Sequence, residues 1–231
     1  MPPSTDYSGK ISEKKFLTED VMFLSFQVPA SFSFTAGQYI VLKVVQDETV
    51  RWKSYSILNP PSQKEKIDLC ITIIPGGFAS EYFKRAQIGE KVSFRGPVGY
   101  FVFDTETENN EQWFICAGTG LTPFYSMIGE HLPTFPEKKF VLLFGERTQK
   151  DLLFHEKLRQ LEQNYPHFTY IPTLSREQWN GKRGRVQAHL PSDLEHKTFY
   201  ICGLKELVLE TKELLASKGV AAENIKVERY T

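Results

Sequence analysis

Residues 113–124 read Trp113-Phe114-Ile115-Cys116-Ala117-Gly118-Thr119-Gly120-Leu121-Thr122-Pro123-Phe124. A short apolar run stops at Gly118-Thr119-Gly120, and a helical pattern opens directly after it. Such a run, ended by glycine, predicts a buried strand. Pro123 suits the first turn of a helix, where its missing N–H goes unused. A glycine-rich turn between strand and helix lets backbone N–H groups approach a diphosphate at the positive end of the helix. The same glycines also suit an ordinary tight turn that needs their backbone angles.

C-terminal to this turn the rhythm is regular. The runs KFVLLFG, FTYIPTL, TFYICG and NIKVERY are short apolar strands, and helical segments over about 121–131, 153–164 and 204–218 separate them. Strand–helix alternation predicts a parallel sheet with helices on both faces. The N-terminal side differs. KISEKKF, VMFLSFQV, QYIVLKVV, IDLCITII and KVSFRG are rich in β-branched and aromatic residues and are spaced by Pro, Gly, Asn and Ser, with one short helix around 79–85. That pattern predicts an antiparallel β-barrel. The polar stretch DTETENNEQ at 104–112 divides the rhythms, so the expected domains are 1–105 (barrel) and 106–231 (α/β).

Composition narrows the function classes. The 28 basic and 28 acidic side chains cancel, so overall charge favours neither nucleic acid nor an anionic membrane. The N-terminal MPPSTDYSGKISEKKF lacks the apolar core of a signal peptide, and no apolar run approaches the ~20 residues of a membrane span. Cys70, Cys116 and Cys202 are odd in number and far apart, which argues against a disulfide framework, a zinc site or a four-cysteine iron–sulfur cluster. The five histidines show no metal-ligand spacing, so no metal site is expected. A cytoplasmic monomer is the expectation.

Two stretches of the barrel half carry chemistry. In Lys53-Ser54-Tyr55-Ser56, a tyrosine can stack on a flat ring, a serine can hydrogen-bond a ring nitrogen and a lysine can neutralise a phosphate. Pro75-Gly76-Gly77-Phe78-Ala79-Ser80 places a glycine pair before a short helix, a second anion site. Taken singly, Tyr55 and Ser56 read equally as strand residues and the glycine pair as a loop. Two cradles on two domains suit two nucleotides.

The ordered series RWKSYS, PGGFASEYF, GPVGYF, CAGTGLTPF, FGERTQKDLLF, LSREQ, YICGLKE and VERYT closely resembles the plant-type ferredoxin–NADP(H) reductase superfamily over about residues 10–231. The resemblance implies a flavoenzyme that transfers hydride between NADPH and bound FAD and single electrons to or from a separate ferredoxin or flavodoxin. It places Tyr55 against the flavin ring and Ser56 near its reactive nitrogen. The family's phosphate-binding arginine is replaced by Lys53, a point charge without a bidentate fork. Arg51, two residues earlier on the same strand face, can share that task, with Ser54 beside it. By the same resemblance, main-chain groups of Cys70, Ile71 and Thr72 meet the adenylate side, and Gly77, Phe78, Ala79 and Ser80 the phosphates. FAD is the family's usual flavin, although FMN would satisfy the same barrel.

In the second half, Gly118, Thr119, Gly120 and Pro123 would receive the nicotinamide nucleotide. Cys202 and Gly203 match the family's pair beside the nicotinamide, although a free cysteine is more often a small buried hydrophobe. Glu228 and Tyr230 match its last carboxylate and the aromatic that covers the flavin, with Thr231 as an extra residue beyond. Ser56, Cys202 and Glu228 are therefore the expected lining of the hydride path, and Tyr230 the group that moves aside. Arg147, Ser175, Arg176 and Arg183 favour a 2′-phosphate and hence NADPH. WNGKRG at 179–184 also resembles NADH-using oxygenase reductases, so that alternative stays open. A nucleotide-binding module that has lost flavin is the rival from another class, and Lys53 is its main support.

Overall fold

A computed structural model describes residues 6–230 and divides the chain into two compact units. Residues 1–5 and Thr231 lie outside the described residues. The first unit takes in the chain to Phe103 together with Thr122–Glu130, and the second takes in Asp104–Leu121 and the chain from His131.

The first unit contains β1 (Asp6–Phe16), β2 (Val21–Gln27), β3 (Tyr39–Gln46), β4 (Thr49–Ser56), β5 (Lys66–Thr72), α1 (Phe78–Arg85) and β6 (Lys91–Val98). Its strands form one antiparallel sheet in the order β4-β3-β6-β1-β2-β5. β4 and β5, at opposite ends of that order, approach each other, which curls the sheet into a half-barrel. The alternation of β3 decides its faces: Ile40, Leu42 and Val44 are buried in the core, and Lys43 points out. Phe26, Phe32 and Phe94 fill that core, with Phe32 edge-on to Phe94 at 5.3 Å between ring centres. Each such buried ring contributes about 1.5–3 kcal/mol.

The helix α2 (Leu121–His131) belongs largely to this unit. Ser126 Oγ donates to the Asn59 carbonyl at 2.8 Å, and Thr122 hydrogen-bonds Cys70. β5 is consequently buried on both faces: Ile67, Leu69 and Ile71 point to the core and Cys70 toward α2.

The second unit adds β7 (Glu111–Ala117), β8 (Lys139–Glu146), α3 (His155–Asn164), β9 (Phe168–Leu174), β10 (Lys182–Arg183), β11 (Lys197–Leu204), α4 (Lys205–Ser217) and β12 (Ile225–Tyr230). Its sheet is parallel throughout, in the order β10-β9-β8-β7-β11-β12. One face packs Trp113, Ile115, Phe199 and Ile201 against Val208 and Leu215 of α4. On the other face Phe114 stacks between Phe140 and Tyr200, at 5.8 and 5.1 Å. The chain steps from β7 outward to β10 and then returns to β11, so strand order reverses between β7 and β11.

Two strands have no counterpart among the apolar runs of the sequence. β4 is an edge strand whose residues are exposed up to Ser54, so no apolar alternation marks it. β10 has two exposed residues and is held by pairing with Thr173 and Leu174. Among the described residues no helix is long and apolar enough to cross a membrane, and no cluster of metal-ligating side chains occurs.

Candidate functional site

In the first unit, β4 alternation sends Arg51, Lys53 and Tyr55 to one face, toward α1. The Arg51 guanidinium lies 4.5 Å over the Phe78 ring, and Tyr55 sits edge-on to Phe83 at 5.5 Å. Tyr55 is half-buried, and burial raises its phenol well above the ordinary range, so it remains neutral. Lys53 and Ser54 are exposed, whereas Ser56, closing the strand, is buried.

α1 begins at Phe78 with Gly77 as its cap and no side chain satisfying the first-turn N–H groups. Those unsatisfied donors are the positive end of the helix. Ser80 is buried, and its Oγ accepts the Ile74 N–H at 2.9 Å, pinning the Pro75–Gly77 turn. A Cβ on Gly77 would stand 3.0 Å from the Ile74 carbonyl oxygen, so the turn is tight against this position. An uncapped helix end beside two cations and a half-buried tyrosine fits a dinucleotide with a flat ring.

β5 qualifies the expected main-chain contacts. Asp68 N–H and C=O turn away from β2, bonding Asn59 Oδ1 and Leu58 N–H at 2.8 Å each, whereas Ile73 N–H turns toward the β2 side and bonds the Asp20 carbonyl. By alternation, Cys70 and Thr72 share the outer orientation of Asp68, and the Ile71 main chain faces the β2 ladder. Burial pushes the Cys70 thiol up to about 12.

In the second unit the carboxyl ends of β7, β11 and β12 bring one set of residues together. Cys116, Cys202 and Glu228 form a single row across these strands, with Gly203 beside Arg229 and Leu204 beside Tyr230. Gly118 holds a left-handed φ of +58°, and the turn from Gly118 to Gly120 leads into α2. Gly120 lies against the Cys202 carbonyl: an added Cβ would stand 2.8 Å from its carbon. Pro123 is buried in the first turn of α2. Burial lifts the Cys202 thiol well above its ordinary range, the Glu228 carboxylate adds to this, and a hydrogen bond with Tyr230 opposes it. Tyr230 Oη also donates to the Thr119 carbonyl at 3.4 Å, so this ring is tied to the glycine turn of its own unit.

The rim beyond β8 and β9 sorts the cations. Arg176 N–H donates to the Arg147 carbonyl at 3.0 Å, which sets these two exposed residues side by side. Ser175 bonds the Glu146 carbonyl through N–H and Oγ, at 2.9 and 3.2 Å. Arg183 differs, since its Nε and Nη2 donate to the Trp179 carbonyl at 3.3 and 3.2 Å, closing its own loop. Trp179 Nε1 donates to the Lys182 carbonyl at 2.6 Å, and Glu177 Oε2 accepts the Gln149 N–H at 2.7 Å. The positioning roles of Trp179 and Glu177 went unread in the sequence, although Glu177 falls in LSREQ and Trp179 in WNGKRG.

A parallel sheet places ligands outside its carboxyl ends where strand order reverses, and Gly118–Gly120 and Cys202–Gly203 stand at that point. Residues 8–103 match an oxidoreductase FAD-binding domain and residues 114–213 an oxidoreductase NAD-binding domain. Fold and sites thus define a two-domain oxidoreductase that uses FAD and a pyridine nucleotide. The chain is 33% identical over 214 residues to ferredoxin–NADP reductase B of Sorangium cellulosum, covering 87% of this chain and 86% of that protein. It belongs to the ferredoxin–NADP reductase family of flavoenzymes. A second relative is the reductase component of phenol 2-monooxygenase from a Pseudomonas species, 27% identical over 99% of this chain, which spans 66% of that protein. Among solved structures, a ferredoxin–NADP+ reductase from Neisseria gonorrhoeae with bound FAD and NADP shares the fold at a TM-score of 0.87 and 22% identity, covering 97% of this chain and 98% of the other.

Proposed function

We propose that this protein passes electrons between NADPH and a separate one-electron protein carrier of the ferredoxin or flavodoxin kind. The row of Cys116, Cys202 and Glu228 beside the Gly118–Gly120 turn carries this reading, because it joins a diphosphate cradle to a buried thiol and a carboxylate. Bound FAD would supply hydride acceptance and one-electron release, chemistry that no side chain offers. Tyr55 would hold the flat ring, Ser56 would meet its edge, and Arg51, Lys53 and the first turn of α1 would neutralise the diphosphate. Cys202 and Glu228 would line the nicotinamide position, and Tyr230 would leave Thr119 as the nucleotide docks, a gating step. Arg176 and Arg147 would take the 2′-phosphate. The working form is proposed as a cytoplasmic monomer.

A second reading, an NADH-dependent reductase component of an oxygenase, draws support from Arg183. Its guanidinium is spent on Trp179, which removes one cation from the phosphate rim.

The visible spectrum under anaerobic NADPH, then NADH, tests both. Faster bleaching by NADPH, with the preference lost in Arg176→Ala, bears out the first reading. Faster bleaching by NADH selects the second. A colourless protein that takes up neither FAD nor FMN overturns both.

A further inference from the structure

The outer face of the first unit's sheet carries a groove of about 400 Å³, lined by Asp6 and Ser8 of β1, Lys43 of β3, Trp52 of β4, and Ser93 and Arg95 of β6. Strand register builds it. Arg95 stands across from Asp6, Ser93 across from Ser8, and Lys43 across from Trp52. Trp52 alternates with Arg51 and Lys53, so it points away from the proposed flavin cradle. Arg95 forms a fixed plate, with its guanidinium 4.1 Å over the Trp52 ring and its Nε donating to Asp6 Oδ1 at 2.7 Å. Val45 and Val50, 43% and 47% exposed, extend the apolar strip along β3 and β4.

The charge on this face is one-sided. Lys91 stands directly across from Lys10, and like charges so placed oppose the pairing of their strands. Lys10, Lys43 and Lys91 form no ion pair among the described residues. The only lining carboxylate, Asp6, is already taken by Arg95. In a chain whose charges cancel overall, three uncompensated cations on the sheet face that carries Trp52, with Lys43 directly across from it, are a local concentration.

We propose that this face docks an acidic, extended segment of a partner protein. Carboxylates on the segment would relieve the Lys10–Lys91 opposition and meet Lys43. Its apolar side chains would cover Trp52 and the two valines, tryptophan and arginine being residue types that dominate the centres of protein interfaces. The occupant is a polypeptide and not a flat anionic bilayer because the face is concave, and its segment lies over Lys43, Lys10 and Lys91, away from Asp47 and Glu48 of the β3–β4 turn.

A fluorescein-labelled ten-residue peptide alternating glutamate with valine is the probe, with a lysine–valine peptide as control and anisotropy as readout. The protein is expected to bind the glutamate peptide, about tenfold more weakly at physiological than at low salt. The double variant Lys43→Glu/Lys91→Glu should lose this binding, Lys43→Gln/Lys91→Gln should weaken it, and Trp52→Ala should weaken it at every salt concentration. All three should keep the parent melting temperature within a few degrees. Absence of binding, equal binding of the lysine peptide, full affinity in either lysine variant, or preference for phosphatidylserine vesicles over the peptide would overturn the proposal.

Discussion

Gly120 lies so close to the Cys202 carbonyl that the turn after β7 and the end of β11 admit no side chain between them. Gly118, two residues earlier, faces open space but holds a left-handed φ. The two glycines are required for different reasons, and their substitutions should differ accordingly. Gly120→Ala should push the turn off β11, costing about 1–3 kcal/mol and raising KM for the nicotinamide nucleotide roughly tenfold or more. Gly118→Ala should cost about 1–2 kcal/mol of backbone strain with a smaller rise in KM. Thermal unfolding beside steady-state kinetics separates them, and equal KM effects would count against the close-approach argument.

Ser80 accepts the Ile74 N–H from inside the unit, so its loss orphans a donor at the glycine turn. Ser80→Ala is expected to destabilise by about 1–3 kcal/mol and to speed flavin release by loosening the Pro75–Gly77 turn. Flavin fluorescence on dilution reads the second effect. A variant with parental stability and release would show that the bond does not hold the turn.

Arg51 and Lys53 share a strand face and the proposed diphosphate task, but only Arg51 is also packed against α1. Arg51 stacks on Phe78, so Arg51→Met should cost both stability, about 0.5–1 kcal/mol, and flavin affinity. Lys53 is exposed, and Lys53→Arg should tighten FAD about three- to tenfold at unchanged stability. Titration of apoprotein with FAD, alongside melting, checks both. Unchanged affinity in Lys53→Arg would remove Lys53 from the phosphate site.

Burial holds the Cys70 thiol protonated up to about 12, against an ordinary 9.0. Because the folded state holds this proton more tightly than the unfolded chain, the contribution is complete below about pH 9 and is lost as pH rises toward 12. Cys116 and Cys202, raised in the same direction by burial, add to that alkaline loss. At pH 8 none of the three thiols should react with a disulfide reagent until the chain unfolds, when all three should. Stoichiometric reaction of the folded protein would contradict their burial.

The second unit was the more legible half. Its central strands β7, β8 and β11 are buried on both faces and read as apolar runs closed by glycine, so Leu121–His131 and the glycine turn could be placed from residues alone. No apolar run marked β4, because an exposed edge strand carries no alternation, and its Arg51, Lys53, Tyr55 and Ser56 were legible through chemistry and resemblance instead. What the sequence could not convey was which partner each polar group takes. Nothing in RWKSYS says that Arg51 rests on Phe78, nor in WNGKRG that Arg183 turns back on Trp179. Those choices depend on contacts between residues distant along the chain or on the closure of one loop.

Helix α2 has a consequence for how the chain is made. The ribosome delivers β1 to β6 first, yet the partners of the Asn59 carbonyl and of the Cys70 thiol arrive with Thr122 and Ser126. Between those two stretches the whole of β7 must leave the exit tunnel. An emerging first unit therefore waits, one face of β5 uncovered, until residue 130 has left the exit tunnel. A nascent chain halted near residue 105 is a natural client for a chaperone.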